Sequence, residues 1–156
     1  MKATPISEVI LFSSLKPGDC YFFDRSGKTV FGIAIQQGDD SMAAFVFSKE
    51  DRKGGAPWVA SGAHPYTVAG VVDPELRPDI SSIHFNNPGI GELIGTLSKY
   101  YIQGAAGSEV GTANLLTGKQ QRPPQDAPFA CYSKWSIGCQ IDGRMVPVFS
   151  FPEDLT

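Results

Sequence analysis

An Asp-Gly pair at 142–143 divides two runs of strand-forming residues, Trp135-Ser136-Ile137-Gly138-Cys139-Gln140-Ile141 and Arg144-Met145-Val146-Pro147-Val148-Phe149-Ser150-Phe151. Two residues tolerant of positive φ are what a two-residue type I′ turn requires, so the C-terminal part of the chain reads as a β-hairpin. Pro147 has no backbone donor, which places its strand at a sheet edge or at a bulge. A second hairpin is expected from Cys20-Tyr21-Phe22-Phe23-Asp24 and Thr29 to Ile35 around Arg25-Ser26-Gly27-Lys28, after a turn at Leu15-Lys16-Pro17-Gly18-Asp19. Met42 to Ser48 continues it as a third strand. Further strands are expected at Trp58–Ser61, Tyr66–Val72 and Ser81–Phe85.

Turn residues are dense throughout. The 156 residues include 17 Gly and 12 Pro, well above the usual ~12% for the two together. Elements must therefore be short. Hydrophobic residues at 42% and 17 aromatics exclude a disordered chain. A chain of this length buries about two thirds of its unfolded surface and folds without staples.

One helix is expected, at residues 88–103. Asn87 can cap it, Pro88 suits its first position, and Ile90, Leu93, Ile94, Leu97 and Tyr101 recur at helical spacing before Gly104. A short helix is also expected near the start, around Thr4-Pro5, although Ile6, Glu8, Ile10 and Phe12 alternate weakly. The expected fold is mainly β: an antiparallel barrel or sandwich of about seven or eight short strands with that one helix packed on it, an α+β arrangement being the alternative. Residues 1–156 read as a single domain. Residues 104–128 form a long Gly/Ala/Pro-rich loop, of a length usual for lids and binding loops, in which Glu109 to Leu116 supplies at most a short strand.

Charge narrows the partners. Net charge is −3, and counting along the chain gives 8 basic and 9 acidic side chains in residues 1–78 and 5 and 7 in residues 79–156. Without a basic cluster, nucleic acid is a poor partner. No apolar run is long enough for a membrane helix or a signal peptide. Cys20, Cys131 and Cys139 are odd in number and widely spaced, which suits reduced thiols and a cytoplasmic address.

Chemistry-bearing motifs are few. Gly89-Ile90-Gly91-Glu92-Leu93-Ile94-Gly95 could hold an anion or nucleotide at the N-terminus of the expected helix, but the second strand and acidic ribose partner of a dinucleotide fold do not follow. Gly111 to Lys119 fails the spacing of a phosphate loop. For nucleophilic catalysis the inventory is Cys20, Cys131 or Cys139 with His64 or His84; His64, in a turn-like loop, is the better base, so a cysteine-dependent hydrolase or transferase would use Cys20 or Cys131 with His64. Asp73, Glu75 and Asp79 read as a solvated loop, and no metal or cofactor is expected.

The function expected from these features is a soluble, non-enzymatic binding module. Its loops 49–58 and 104–128, with Trp58, His64 and Trp135 as ligand-binding residues, would face a protein, peptide or small molecule, and exposed edges would permit a homodimer.

Overall fold

In a computed structural model, residues 7–38, 41–48, 55–62, 64–107 and 109–153 are described. Strands dominate. In chain order they are β1 (Ser7–Leu11), β2 (Cys20–Arg25), β3 (Lys28–Gln37), β4 (Ser41–Phe47), β5 (Pro57–Ala60), β6 (Thr67–Val71) and β7 (Glu75–Pro78), followed by β8 (Ile83–His84), β9 (Leu93–Gly95), β10 (Tyr100–Ala106), β11 (Glu109–Asn114), β12 (Ala130–Tyr132), β13 (Trp135–Ile141) and β14 (Arg144–Phe151). Single 3-10 turns at Phe12–Ser14 and Ile80–Ser82 follow β1 and precede β8.

Both expected hairpins form, and for the expected reason. Ser26 and Gly27 stand at φ 53° and 81°, Asp142 and Gly143 at 51° and 78°, the left-handed pairs of type I′ turns. Pro147 satisfies both of its restrictions: β14 is an edge strand, and the register slips between Ile137 and Gly138, so that Ile137 opposes Phe149 while Gly138 opposes Pro147. Val148 is the extra residue of that bulge.

Eleven strands join in one sheet, ordered β1-β6-β2-β3-β4-β5-β10-β9-β12-β8, with β11 on the other edge of β10. All pairings in it are antiparallel except β5 with β10. β14, β13 and β7 form a second sheet. The two pack face to face, and of the expected barrel or sandwich no closed barrel forms among the described residues. Phe31, Ile33, Phe45 and Phe47 of the large sheet meet Trp135, Ile137, Phe149 and Phe151 of the small one in the main core. Alternate residues of β3 and β4, among them Val30, Ala34, Ala44 and Val46, are buried on the opposite face with Phe12, Tyr21 and Val68. A third, smaller cluster of Ile94, Tyr101 and Cys131 lies on the branch carried by β9 and β12.

The expected helix at 88–103 is corrected to a loop and two strands, β9 and β10. Leu93 joins the main core and Ile94 the third cluster, and Ile102 and Tyr101 divide in the same way. Burial on both faces places apolar residues at consecutive positions, which mimics helical spacing. Leu97, which the helix would bury, is 86% exposed. The N-terminal helix is corrected as well: residues 7–11 form β1, and positions 1–6 lie outside the described residues. β7, read as a solvated loop, pairs with β13 from Trp135↔Pro78 to Gly138↔Glu75. Among the described residues, no helix is long and apolar enough to cross a membrane.

Gly91 shows how tightly the core constrains the backbone. It stands at φ 87°, and a Cβ there would collide with the Cζ edge of the Phe151 ring. Its N–H donates to Gln103 O (2.8 Å), and its carbonyl accepts from Trp135 Nε1 (2.7 Å). Gly91→Ala adds both a steric clash and left-handed strain, so it should cost about 3 kcal/mol or more of unfolding free energy. Urea denaturation monitored by tryptophan fluorescence measures this directly, and Gly143→Ala, where nothing lies within 4 Å of the added methyl, should cost only the turn strain of about 1 kcal/mol.

Candidate functional site

The structure separates the expected thiol–imidazole pairs. Cys20 belongs to the main core, whereas its neighbour Tyr21 turns to the opposite face and meets Phe12. His64 stacks on that Phe12 ring, with centroids 4.2 Å apart, and its Nε2 lies 3.1 Å from Met42 O. Cys20 and His64 therefore sit on opposite faces of one sheet. Cys131 lies on β12, in the branch beyond β10, where its cross-strand partner is His84.

His84 is committed elsewhere. Its Nε2 is 2.9 Å and 3.2 Å from the two Glu92 carboxylate oxygens, and its Nδ1 accepts the Asn86 N–H at 3.3 Å. With Nε2–H donating to Glu92 and Nδ1 accepting, neither nitrogen has a lone pair left for a thiol. The Cys131 thiol is fully buried and donates to Asn86 O at 3.5 Å. Burial, reinforced by the nearby Glu92 charge, pushes it up to about 11. Burial likewise pushes Cys20 up to about 12, with Asp19 and Cys139 adding to it, and burial with Asp73 raises Cys139, which donates to Val72 O at 3.1 Å. A nucleophilic cysteine needs the reverse, a depressed pKa and an accessible sulfur.

What these groups do is hold the 85–92 loop. Glu92 takes the Gly89 N–H at 2.6 Å as well as the imidazole, and Trp135 takes the Gly91 carbonyl. The glycine run read as an anion cradle opens no helix, and its Gly89 donor already faces a carboxylate of the same chain.

The expected ligand-binding aromatics are dispersed. Trp135 is 2% exposed and belongs to the main core. Trp58 is partly buried on β5 under the Arg25 guanidinium, 5.1 Å from the ring centroid, and its Nε1 is the one buried side-chain nitrogen or oxygen without a hydrogen-bond partner among the described residues. Of the 49–58 loop, residues 49–54 lie outside the described residues, and Pro57 and Trp58 already belong to β5.

The second expected loop, 104–128, resolves into the end of β10, β11 and a strap. Gln121 N–H donates to Thr112 O (2.8 Å) at the outer edge of β11, and Ala130 pairs with Gly95. Since β11 and β12 flank β10 and β9, residues 121–129 must cross over those two strands. They do so on the face that carries Ile94 and Gln103, away from the main core. Between strap and sheet lies an open cavity of about 200 Å³. Ile94 and Gln103 form its floor, Pro88 of the pinned loop one wall, and Pro123, Pro124 and Phe129 the other, with Thr96 and Gln125 supplying polar groups. A second cavity of about 290 Å³ shares Gln103 and Pro123 and extends to Val110, Thr112 and Arg122. The two adjoin along the strap as parts of one groove lined at their meeting by Gln103 and Pro123. Composition alone marked the strap as unusual; the floor and the Pro88 wall come from elements that only the tertiary fold brings beneath it.

Among the described residues, no group of three His, Cys, Asp or Glu side chains converges to hold a metal ion. Comparison with protein-family models, with curated proteins and with solved structures finds no match to this chain.

The raised thiol values carry a pH dependence. A thiol held protonated in the fold ionises more readily once unfolded, so its contribution is complete below pH 9, the ordinary thiol value, and is lost as pH rises toward 11 or 12. Unfolding free energy should fall above pH 9, by about 1.4 kcal/mol per pH unit for the Cys20 thiol alone. Urea titrations at pH 8, 9, 10 and 10.5 should show a shallower decline for Cys20→Ala than for the unsubstituted chain.

Proposed function

We propose that this chain is a non-enzymatic binding module whose ligand is a short extended peptide lying in the groove under the 121–129 strap. One observation carries the reading: the strap is anchored at both ends yet leaves a groove with apolar walls and amide groups. Pro123, Pro124, Pro88 and Phe129 offer rigid apolar surface that loses little entropy on binding. Gln103, Gln125 and Thr96 offer donors and acceptors for a peptide backbone. Two adjoining cavities suit a ligand with successive side chains better than a compact metabolite. The cysteine-hydrolase alternative has less support, because all three thiols are buried and their pKa values raised.

Phe129 is 43% exposed on the groove wall, so its truncation should leave the fold intact. Panning a phage-displayed library of random peptides against the immobilised protein should enrich a shared motif. Enriched peptides, measured by fluorescence anisotropy, should bind Phe129→Ala and Gln103→Ala about tenfold more weakly or worse. Trp58→Ala should bind them unchanged. No enrichment over the bare support, or equal affinity for the groove variants, would refute the assignment.

A further inference from the structure

The outer face of the small sheet carries a separate cavity, apart from the groove. Arg77 on β7 lies opposite Ser136 on β13, which lies opposite Ser150 on β14. Cross-strand partners share a face, and the flanking Leu76, Trp135, Ile137, Phe149 and Phe151 all turn inward to the main core. The Arg–Ser–Ser row therefore faces outward. It borders an open pocket of about 330 Å³ to which Lys134 and Asp79 also contribute.

The side-chain hydrogen-bond donors here are unused, although the Lys134 charge acts through space on Asp79. Among the described residues, neither cation has an ion pair within 4 Å, and neither it nor either serine hydroxyl has a side-chain hydrogen bond. Lys134 is nevertheless held in place through its backbone: its carbonyl accepts from Asp79 N–H (3.0 Å) and Ser82 Oγ (3.2 Å), and its N–H donates to Ser82 Oγ (3.0 Å). Asp79, the carboxylate at the pocket, is turned to its own turn, with Oδ1 accepting from Ser81 N–H (2.9 Å) and Ser81 Oγ (2.6 Å). Glu75 lies two residues from Arg77 on the same strand face and does not line the pocket.

We infer that this pocket binds a phosphate monoester group. A guanidinium fork, an ammonium and two hydroxyls exceed what the two oxygens of a carboxylate can accept, and suit the three terminal oxygens of a phosphate. Among the described residues that line the pocket, two cations stand against one carboxylate, on a chain whose net charge is −3.

Isothermal titration at low ionic strength, with inorganic phosphate and with O-phosphoserine in a short peptide, tests the site. The unphosphorylated peptide serves as control. Both phosphate probes should bind and the control should not; tighter binding of the phosphopeptide than of inorganic phosphate would identify a modified protein as the source, and equal binding a free phosphate compound. Arg77→Ala should weaken binding about tenfold, Lys134→Ala severalfold. Asp79→Asn keeps a capping oxygen for Ser81 while removing the one negative charge among the described residues that line the pocket, so it should tighten binding severalfold. That last readout separates a binding role from a structural one. Circular dichroism should show all three variants folded, since the substituted side chains are exposed. Absence of phosphate binding, or affinities unchanged in Arg77→Ala and Asp79→Asn, would overturn the inference.

Discussion

Face-to-face contact between aromatic rings of the two sheets is the constraint on which the rest of the molecule depends. Phe31 of β3 stacks on Phe149 of β14 with centroids 4.0 Å apart and planes 11° from parallel, and within the small sheet Trp135 stacks on its cross-strand partner Phe151 at 5.6 Å. Phe47 meets Trp135, Phe149 and Phe151 edge-on. Such pairs add about 0.5–1.5 kcal/mol each beyond the area they bury. They also fix geometry. Phe149 and Phe151 alternate inward opposite Ile137 and Trp135, on the regular side of the β14 bulge, and Trp135, clamped between rings, delivers its indole N–H to Gly91. Thus the packing of the small sheet decides where the 85–92 loop stands.

From there the groove follows. With Trp135, Glu92 and His84 each holding part of that loop, Pro88 becomes a fixed wall rather than the tip of a free segment. The opposite wall is fixed by the strap's two anchors, at Thr112 and Gly95. Polar and ionisable groups that resemble catalytic apparatus on paper, namely a cysteine facing a histidine facing a glutamate, are consumed as fasteners. The imidazole has both nitrogens engaged and the thiol stays protonated.

Much of the local structure was legible in the residues. Ser26-Gly27 and Asp142-Gly143 announced their turns through backbone chemistry that depends on no distant partner, and Pro147 announced an edge and a bulge in the same way. The 88–103 segment misled because its two-sided burial erased alternation. Leu93 and Ile94 are both apolar since each has its own core to enter, and that distinction exists only after the sheets have met. β7 was hidden for another reason: Asp73-Pro74 and Arg77-Pro78 carry breaker residues that a short edge strand tolerates. The strap stood out by composition, yet which residues lie under it depends on β11 and β12 being separated by two strands. The outward row of Arg77, Ser136 and Ser150 spans positions 77 to 150 and arises from register alone.

The forked sheet has its own consequence. β10 shares one edge between β9, at residues 100–102, and β5, at residue 105, so the β8–β9–β12 arm meets the large sheet through three backbone pairings while Leu93 ties it to the main core and Ile94 to the small Ile94–Tyr101–Cys131 cluster. Parting that arm from β10 would carry the groove's Ile94 floor away and draw Leu93 out from among the aromatic rings, so the floor of the groove is only as firm as the packing between the sheets.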